Sequence, residues 1–139
     1  MDPTETASLV RLGDTDLDVA NAEEDVRGRT VLDRNGDEVG DVKSLLIDDR
    51  ETKVRLLEVS SGGFLGLGGE TRLVPVDAVI DVTEESVYID QAREHVHDAP
   101  RYDPELTRHE GYYADVYGHY GYAPYWAPGY VYPGYPHYR

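Results

Sequence analysis

The sequence predicts a mainly β protein: a small barrel of five to six short strands, with short helical turns and an extended aromatic C-terminal tail. Between Asp25 and Asp90, short apolar runs alternate with turn residues at the spacing of β-hairpins. These runs are rich in valine and isoleucine, whose branched side chains favour strands. A sheet this small has two edges, and closing it into a barrel removes them.

The charge of the chain restricts its partners. The 139 residues include 13 Lys and Arg against 28 Asp and Glu, for a net charge of -15. Such a surface repels phosphate, so binding to nucleic acid or to anionic lipid is disfavoured. It suits a cationic partner surface, and it equally suits a solvated acidic surface that keeps a small protein soluble.

Composition also bears on compartment and size. The length allows one domain with tails. The chain has no cysteine, which rules out a disulfide framework or a thiolate metal site. Its start, "MDPTETASLV", is acidic and unlike a signal sequence, and no run of 18 apolar residues is present, so no membrane span is expected. We expect a cytoplasmic protein.

The first half contains an arm and two hairpins. Residues 1–24 form an acidic N-terminal arm that docks locally through Leu9 and Leu12. The Asn35-Gly36 pair tolerates positive φ and predicts a type I′ turn, so that residues 39–47 return against the strand at 30–32. A second turn, "DDRET", leads into the strand at 54–59. The predicted core consists of Val31, Val39, Val42, Ile47, Val54, Leu56, Val59, Val76 and Val79.

A glycine-rich segment, "SSGGFLGLGGE", interrupts the strands. It lacks the glycine spacing of a phosphate-binding loop and no helix-forming run follows it. It is either a mobile barrel loop or a docking loop that presents Phe64, Leu65 and Leu67. The following runs, "TRLVPVDAVIDV" and "SVYID", predict further strands. Pro75 cannot donate to a ladder, so it should lie at an edge, a strand start or a bulge.

Residues 93–110 read as a linker with short helical turns. "QAREHVHDAP" predicts one turn that ends at Pro100, and Asp103 is a candidate N-cap before Pro104. His95 and His97 lie on one side of an extended chain but on different sides of a helix. They are the only metal candidates, and they lack a third ligand at a fixed spacing. We therefore expect no metal and no cofactor.

Neither a calcium-binding loop nor a catalytic motif is complete in the sequence. "DRNGDEVGDVKS" has the acidic start of a calcium loop, but Glu38 and Ser44 stand where glycine and glutamate are required. The serines have no nucleophile motif around them, and no pair of carboxylates stands out among so many. The sequence predicts no catalytic residues and no enzyme.

Two stretches carry a family resemblance: "GDEVGDVKSLLIDD" and "VRLLEVSSGGFLGLGGETRLVPVDAV". They resemble the PRC-barrel family, which includes the photosynthetic reaction centre H subunit, the C-terminal domain of the ribosome maturation factor RimM, and stand-alone bacterial proteins. The matching positions are Gly36, Val39, Gly40, Val42, Leu45, Ile47 and Asp48, followed by Pro75, Ala78 and Val79. The resemblance implies a small PRC-type barrel over 25–92 that binds other proteins and has no shared catalytic residues.

The last segment, 111–139, is rich in Tyr, Gly and Pro and nearly uncharged. It is either a disordered low-complexity segment or a set of rings that fold onto a barrel. Its prolines favour the second reading. The interaction candidates in it are Tyr120, Tyr122, Tyr125, Trp126 and Tyr130, with Trp126 expected to be the most buried.

These observations predict a non-catalytic protein-interaction module. It would form a homodimer or larger assembly, or dock on a partner protein, through the glycine-rich loop and the aromatic tail. Gly36 and Gly40 are expected to be structural, Gly36 through positive φ and Gly40 through a bulge or a close strand contact. The alternatives are a ribosome-associated assembly factor, by analogy with RimM, and a metal-binding protein that uses His95 and His97.

Overall fold

Strands dominate the fold. The computed structural model describes residues 9–12, 19, 22–61, 70–102 and 110–138. In these ranges the strands are β1 (Leu9–Arg11), β2 (Thr30–Leu32), β3 (Glu38–Asp48), β4 (Val54–Ser61), β5 (Glu70–Pro75), β6 (Val79–Val82) and β7 (Ser86–Ile89). The helices are α1 (Arg93–His97) and α2 (Glu110–Tyr120), with 3-10 turns at Ala22–Glu24 and Val76–Ala78. The mainly β prediction is confirmed.

The strands form one curled sheet, a half-barrel, in the order β5-β4-β3-β2-β7-β6. β2 and β7 pair in parallel, and the other neighbours pair antiparallel. The N-terminal arm contributes β1, which pairs with the end of β3 from Leu46 to Asp48. Leu12, just after β1, is buried. Residues 9–11 of the arm therefore belong to the sheet.

The core lies inside the curl of the sheet. Each of the nine aliphatic residues predicted to be buried has at most 2% of its surface exposed, which confirms that prediction. Three consecutive side chains of β3, Leu45, Leu46 and Ile47, are also buried, so this end of the strand is covered on both faces. Burial of each such side chain contributes roughly 1.5–3 kcal/mol.

The first hairpin differs from its prediction. Gly36 has φ 84°, but Asn35 is not in the left-handed region, so the turn is not type I′. The amide of Gly36 donates to the carbonyl of Asp33 (2.9 Å), and the amide of Asp33 donates to the carbonyl of Asp37 (2.9 Å). This is the pattern of a type I turn followed by a glycine bulge. The reason is local: one Asp33 carboxylate oxygen accepts the amides of Asn35 and Asp37, which favours the type I turn.

Gly40 and Pro75 occupy special positions in the sheet. A Cβ on Gly40 would lie 2.3 Å from the backbone oxygen of Ser60, so only glycine allows β3 and β4 to approach this closely. Pro75 is the last residue of β5, the strand at one edge, where it pairs with Leu56 and the missing amide breaks no further ladder.

The C-terminal part of the chain borders both sheet edges. On β5, the carbonyl of Thr71 accepts the amide of Tyr102 at 2.8 Å, and Arg72 forms a bridge with Arg101. On β6, the amide of Val82 donates to the carbonyl of His137 at 3.1 Å. Each edge is thus paired with a segment that follows the barrel in the sequence.

Candidate interaction surface

The predicted tail starts as a helix. In α2, the residues at positions 113, 116, 117 and 120 share one face and are buried: Tyr113, Val116, Tyr117 and Tyr120. Val116 and Tyr117 have no exposed surface. The extended tail predicted from composition is therefore wrong for residues 111–120, because tyrosine at helical spacing takes the place of aliphatic residues.

The helix ends at Gly121, which has φ 81°. The amide of Gly121 donates to the carbonyl of Gly118 at 3.2 Å, and that of Tyr122 donates to the carbonyl of Tyr117 at 3.1 Å. This pair of hydrogen bonds is the Schellman motif, in which a left-handed residue closes a helix. Beyond it the chain runs without helix or strand from residue 122 to residue 138, a segment we call the strap.

The strap is fastened to the barrel by tyrosine hydroxyls. Each of five phenols donates to an acidic side chain or a backbone carbonyl of the barrel or arm. The pairs are Tyr122 with the Asp90 carboxylate, Tyr130 with the Asp77 carboxylate (2.9 Å), Tyr132 with the Glu24 carboxylate (3.0 Å) and the Val54 carbonyl (2.9 Å), Tyr135 with the Glu24 carbonyl (2.6 Å), and Tyr138 with the Glu23 carbonyl (2.9 Å).

Arg55 lies at the centre of this contact. It is 5% exposed, and its Nε donates to a carboxylate oxygen of Asp48 at 2.9 Å. Its guanidinium stacks over the rings of Tyr125 (4.7 Å) and Tyr132 (5.3 Å). The buried guanidinium thus contacts both an anion and aromatic rings, and these contacts replace the water that it loses on burial.

Two further cations contact the strap. The Lys53 ammonium lies 4.7 Å from the centre of the Tyr132 ring, and the Arg29 guanidinium lies 5.4 Å from that of Tyr138. Arg29 also donates to the Tyr138 hydroxyl at 2.9 Å. The barrel therefore recognises strap tyrosines through both the hydroxyl and the ring.

These contacts shift the pKa values of several strap tyrosines and of Asp77. Burial raises the pKa of three strap phenols above the ordinary value, and a nearby carboxylate raises each of them further. The pairs are Tyr122 with Asp90, Tyr130 with Asp77, and Tyr132 with Glu24. Burial also raises the pKa of Asp77 itself, against the lowering effect of the Tyr130 hydrogen bond. The strap is thus held by neutral phenols.

Asp48 shows the opposite shift. Burial pushes the pKa of its carboxyl up, but the hydrogen bond from the Glu51 amide and the charge of Arg55 outweigh burial and hold that pKa below its usual value. Asp48 therefore stays ionised as the counterion of Arg55.

The sequence was compared with known protein families. A sequence model of the PRC-barrel domain matches residues 20–96, which is more than half of the chain. The chain belongs to the PRC-barrel family. A comparison with curated proteins gives no match. PRC barrels are in general interaction modules rather than enzymes. Both α2 and the strap lie beyond the matched residues, so they are additions to the PRC barrel.

The two metal candidates, His95 and His97, do not converge on a common site. Both lie in α1, so they point in different directions. His95 Nε2 contacts the carbonyl of His119 at 2.7 Å, and His97 Nε2 contacts the carbonyl of Val39 at 3.4 Å. The rings of His95 and His119 stack 4.0 Å apart, and His119 Nε2 contacts the His95 carbonyl at 2.6 Å. In the described ranges no three potential metal ligands come together.

The predicted interaction residues divide into three groups. Phe64, Leu65 and Leu67 lie outside the described residues. Tyr122, Tyr125, Trp126 and Tyr130 lie on the strap and are partly buried, whereas Tyr120 belongs to the buried face of α2. The expectation that Trp126 is the most buried aromatic of the tail is wrong. Its ring packs edge-on against Tyr117, which is the fully buried ring, because the helix places Tyr117 inward.

Sequence reasoning missed the barrel residues that receive the strap. These residues are Glu24, Arg55, Asp77 and Asp90. Three strap residues were missed as well: Tyr132, Tyr135 and Tyr138. Nothing in the sequence separates these acids from the other surface acids. The alternation of tyrosine with small residues and proline after Gly129 was the available signal, since it indicates repeated contacts along an extended chain.

No helix in the ranges described above is long and apolar enough to cross a membrane.

Proposed function

We propose that this PRC-barrel protein is a non-catalytic protein-interaction module, which self-associates or docks on a partner protein through its aromatic tail and glycine-rich loop. The observation that carries the proposal is the layer formed by the strap. Residues 122–138 contain no Asp, Glu, Lys or Arg, in a chain with a net charge of -15. Interface centres are depleted of charge and enriched in tyrosine and tryptophan, and the strap has that composition.

The exposed side chains of the layer support a protein contact. Val131 is 81% exposed between two fastened tyrosines, and Tyr138 is 43% exposed. On the neighbouring edge strand, Ile80 is 50% exposed at a β-bulge. Five of the six tyrosine hydroxyls of the strap are directed to the barrel or arm, so the outer face offers apolar atoms to a partner.

The test compares the native chain with two variants that add the same charge. Val131→Glu places a carboxylate in the layer, and Ala114→Glu places one on the exposed face of α2 as a matched control. Light scattering at increasing concentration should give a mass above 15.6 kDa for the native chain and for Ala114→Glu, and the monomer mass for Val131→Glu. The same three proteins are used as baits in extracts of the source organism.

A native chain that stays monomeric, and whose captured proteins do not change with Val131→Glu, would contradict the proposal. A triple serine variant of Phe64, Leu65 and Leu67 tests the glycine-rich loop in the same assays. The ribosome-assembly alternative depends on the RimM resemblance and stays a prediction, as do the cytoplasmic location and the expected lack of nucleic-acid binding.

A further inference from the structure

The strap and α2 are attached to the barrel in different ways. The inward side chains of α2 are part of the core, with Val116 and Tyr117 fully buried. The strap, by contrast, is only partly buried over most of its length. Among the described residues, one backbone hydrogen bond joins it to the barrel, from Val82 to His137. Its attachment therefore depends on ring packing, on phenol hydroxyls and on cations over rings rather than on a backbone ladder.

Gly121 separates these two parts. Its left-handed conformation ends α2, and a Cβ added there would meet no atom within 4 Å. Glycine is the residue that changes its backbone angles at least cost. A rotation at Gly121 would lift the strap and leave the buried face of α2 in place.

We propose that the barrel face beneath the strap is a tyrosine-reading groove, and that the strap of a second copy of this chain occupies it in trans. Its recognition elements are the carboxylates of Glu24, Asp77 and Asp90 and the guanidinium of Arg55. The inference rests on the proposed self-association and names the surface through which it takes place.

Two observations select a second copy as the occupant. The three carboxylates of the groove accept the hydroxyls of Tyr122, Tyr130 and Tyr132, and every copy of this chain carries those tyrosines at the same spacing. Copies of a chain with a net charge of -15 repel each other, but the exchanged segment carries no Asp, Glu, Lys or Arg. Exchange of an identical element makes the same contacts in trans as in cis, so it is a low-cost route to a dimer.

The strap in cis competes with a strap in trans. A tethered segment has an effective concentration on the order of millimolar, so the cis arrangement dominates in dilute protein. Weakening the cis strap should therefore expose the groove. The groove should also distinguish tyrosine from phenylalanine, since the buried Glu24 and the half-buried Asp77 and Asp90 lose a hydrogen-bond donor when a hydroxyl is missing.

The experiment uses the full-length chain with its own strap weakened. Tyr122, Tyr130 and Tyr132 are changed to Phe together, which keeps the rings, α2 and the groove. The probe is a fluorescent synthetic peptide with the sequence of residues 122–138. We expect fluorescence anisotropy to show binding to this variant at least about tenfold tighter than to the native chain, because the native groove is occupied.

Two controls report on specificity. A peptide with phenylalanine at the same three positions should bind the variant about tenfold more weakly for each hydroxyl it lacks. The full-length variant Tyr112→Phe removes a phenol on α2, outside the strap, and should bind the peptide like the native chain. Circular dichroism and thermal melting verify that each variant is folded, and the single change Tyr130→Phe replaces the triple variant if it does not fold.

Three results would overturn the inference: no binding to a folded variant, equal binding of the two peptides, or equal binding to the native chain. These results are distinct from a failure of the proposed function. If sedimentation shows that the native chain self-associates while the peptide does not bind, the interaction module stands and strap exchange is wrong. If the peptide binds while the native chain stays monomeric at all accessible concentrations, the groove is present but exchange between native copies is refuted.

Discussion

Removal of one hydroxyl, in Tyr132→Phe, tests how the strap is held. The Tyr132 hydroxyl has one proton, shared between the Glu24 carboxylate at 3.0 Å and the Val54 carbonyl at 2.9 Å. Glu24 is only 6% exposed, and the Val54 amide, at 3.2 Å, also donates to it. Loss of the Tyr132 hydroxyl removes one hydrogen-bond donor from this carboxylate, and little water can reach the site to replace that donor.

The expected loss of stability follows from the charge of the acceptor. A hydrogen bond to a charged group contributes about 1.5–3 kcal/mol, and the burial of Glu24 favours the upper part of that range, so we expect about 2.5 kcal/mol. Urea unfolding measures it as a lower midpoint with an unchanged slope. A double-mutant cycle with Glu24→Gln should show that the two changes are not additive.

The same hydroxyl gives the variant a pH signature. The folded pKa of Tyr132 is raised above the unfolded value of about 10, so the folded protein holds this proton more tightly. Stability from Tyr132 is present below about pH 10 and is lost as pH rises above it. Tyr132→Phe should therefore lose less stability than the native chain above pH 10. A loss below about 0.5 kcal/mol at neutral pH, together with an unchanged alkaline decline, would refute this account of the contact.

Three other outcomes are expected from thermal and urea unfolding. Gly40→Ala should lower the free energy of unfolding by about 1–3 kcal/mol, because its Cβ would lie 2.3 Å from the Ser60 carbonyl oxygen. Gly118→Ala has open space on α2 and should raise it by about 0.5–1 kcal/mol. Equal effects of the two changes would contradict the close-approach argument. Arg55→Met should cost about 3–5 kcal/mol by leaving Asp48 buried without its counterion, and a cost below about 1 kcal/mol would count against a central role. The folded pKa of Asp48 is lowered, so the stability that its ionised form contributes is present above the unfolded pKa of about 3.9 and is lost as pH falls below that value. The native chain should therefore lose more stability between about pH 5 and 2 than Arg55→Met does. Parallel curves of stability against pH for the two proteins would contradict the assignment.

Local patterns in the sequence were sufficient to predict the strands from β2 to β7, whereas β1 was expected only as a docked arm. Each aliphatic run between Thr30 and Ile89 is bounded by turn residues, and strand formation depends on that short-range pattern. The type of the first turn was not predictable from Asn35-Gly36 alone, because the Asp33 carboxylate competes for the turn amides. A side chain two residues away decided between two hairpins.

The contacts of the tail depend on distant residues. Tyr135 and Glu24 are 111 positions apart, and the 28 acidic residues give no sign of which ones will accept a phenol. The helix α2 was predictable in principle, because Tyr113, Val116, Tyr117 and Tyr120 have helical spacing. It was missed because tyrosine was read as a feature of composition rather than as a core residue.

The pairing of both sheet edges by the C-terminal chain has a consequence for aggregation. Unpaired edge strands are templates for the addition of further strands, and natural proteins cover or charge them. Here Tyr102 covers part of β5 and His137 covers part of β6. A proteolytic cut before α2 would release both the helix and the strap. It would therefore uncover the edge of β6 and the apolar face beneath the helix together. The C-terminal chain therefore reduces the number of edge groups that are open to pairing with another molecule, so its removal should increase aggregation.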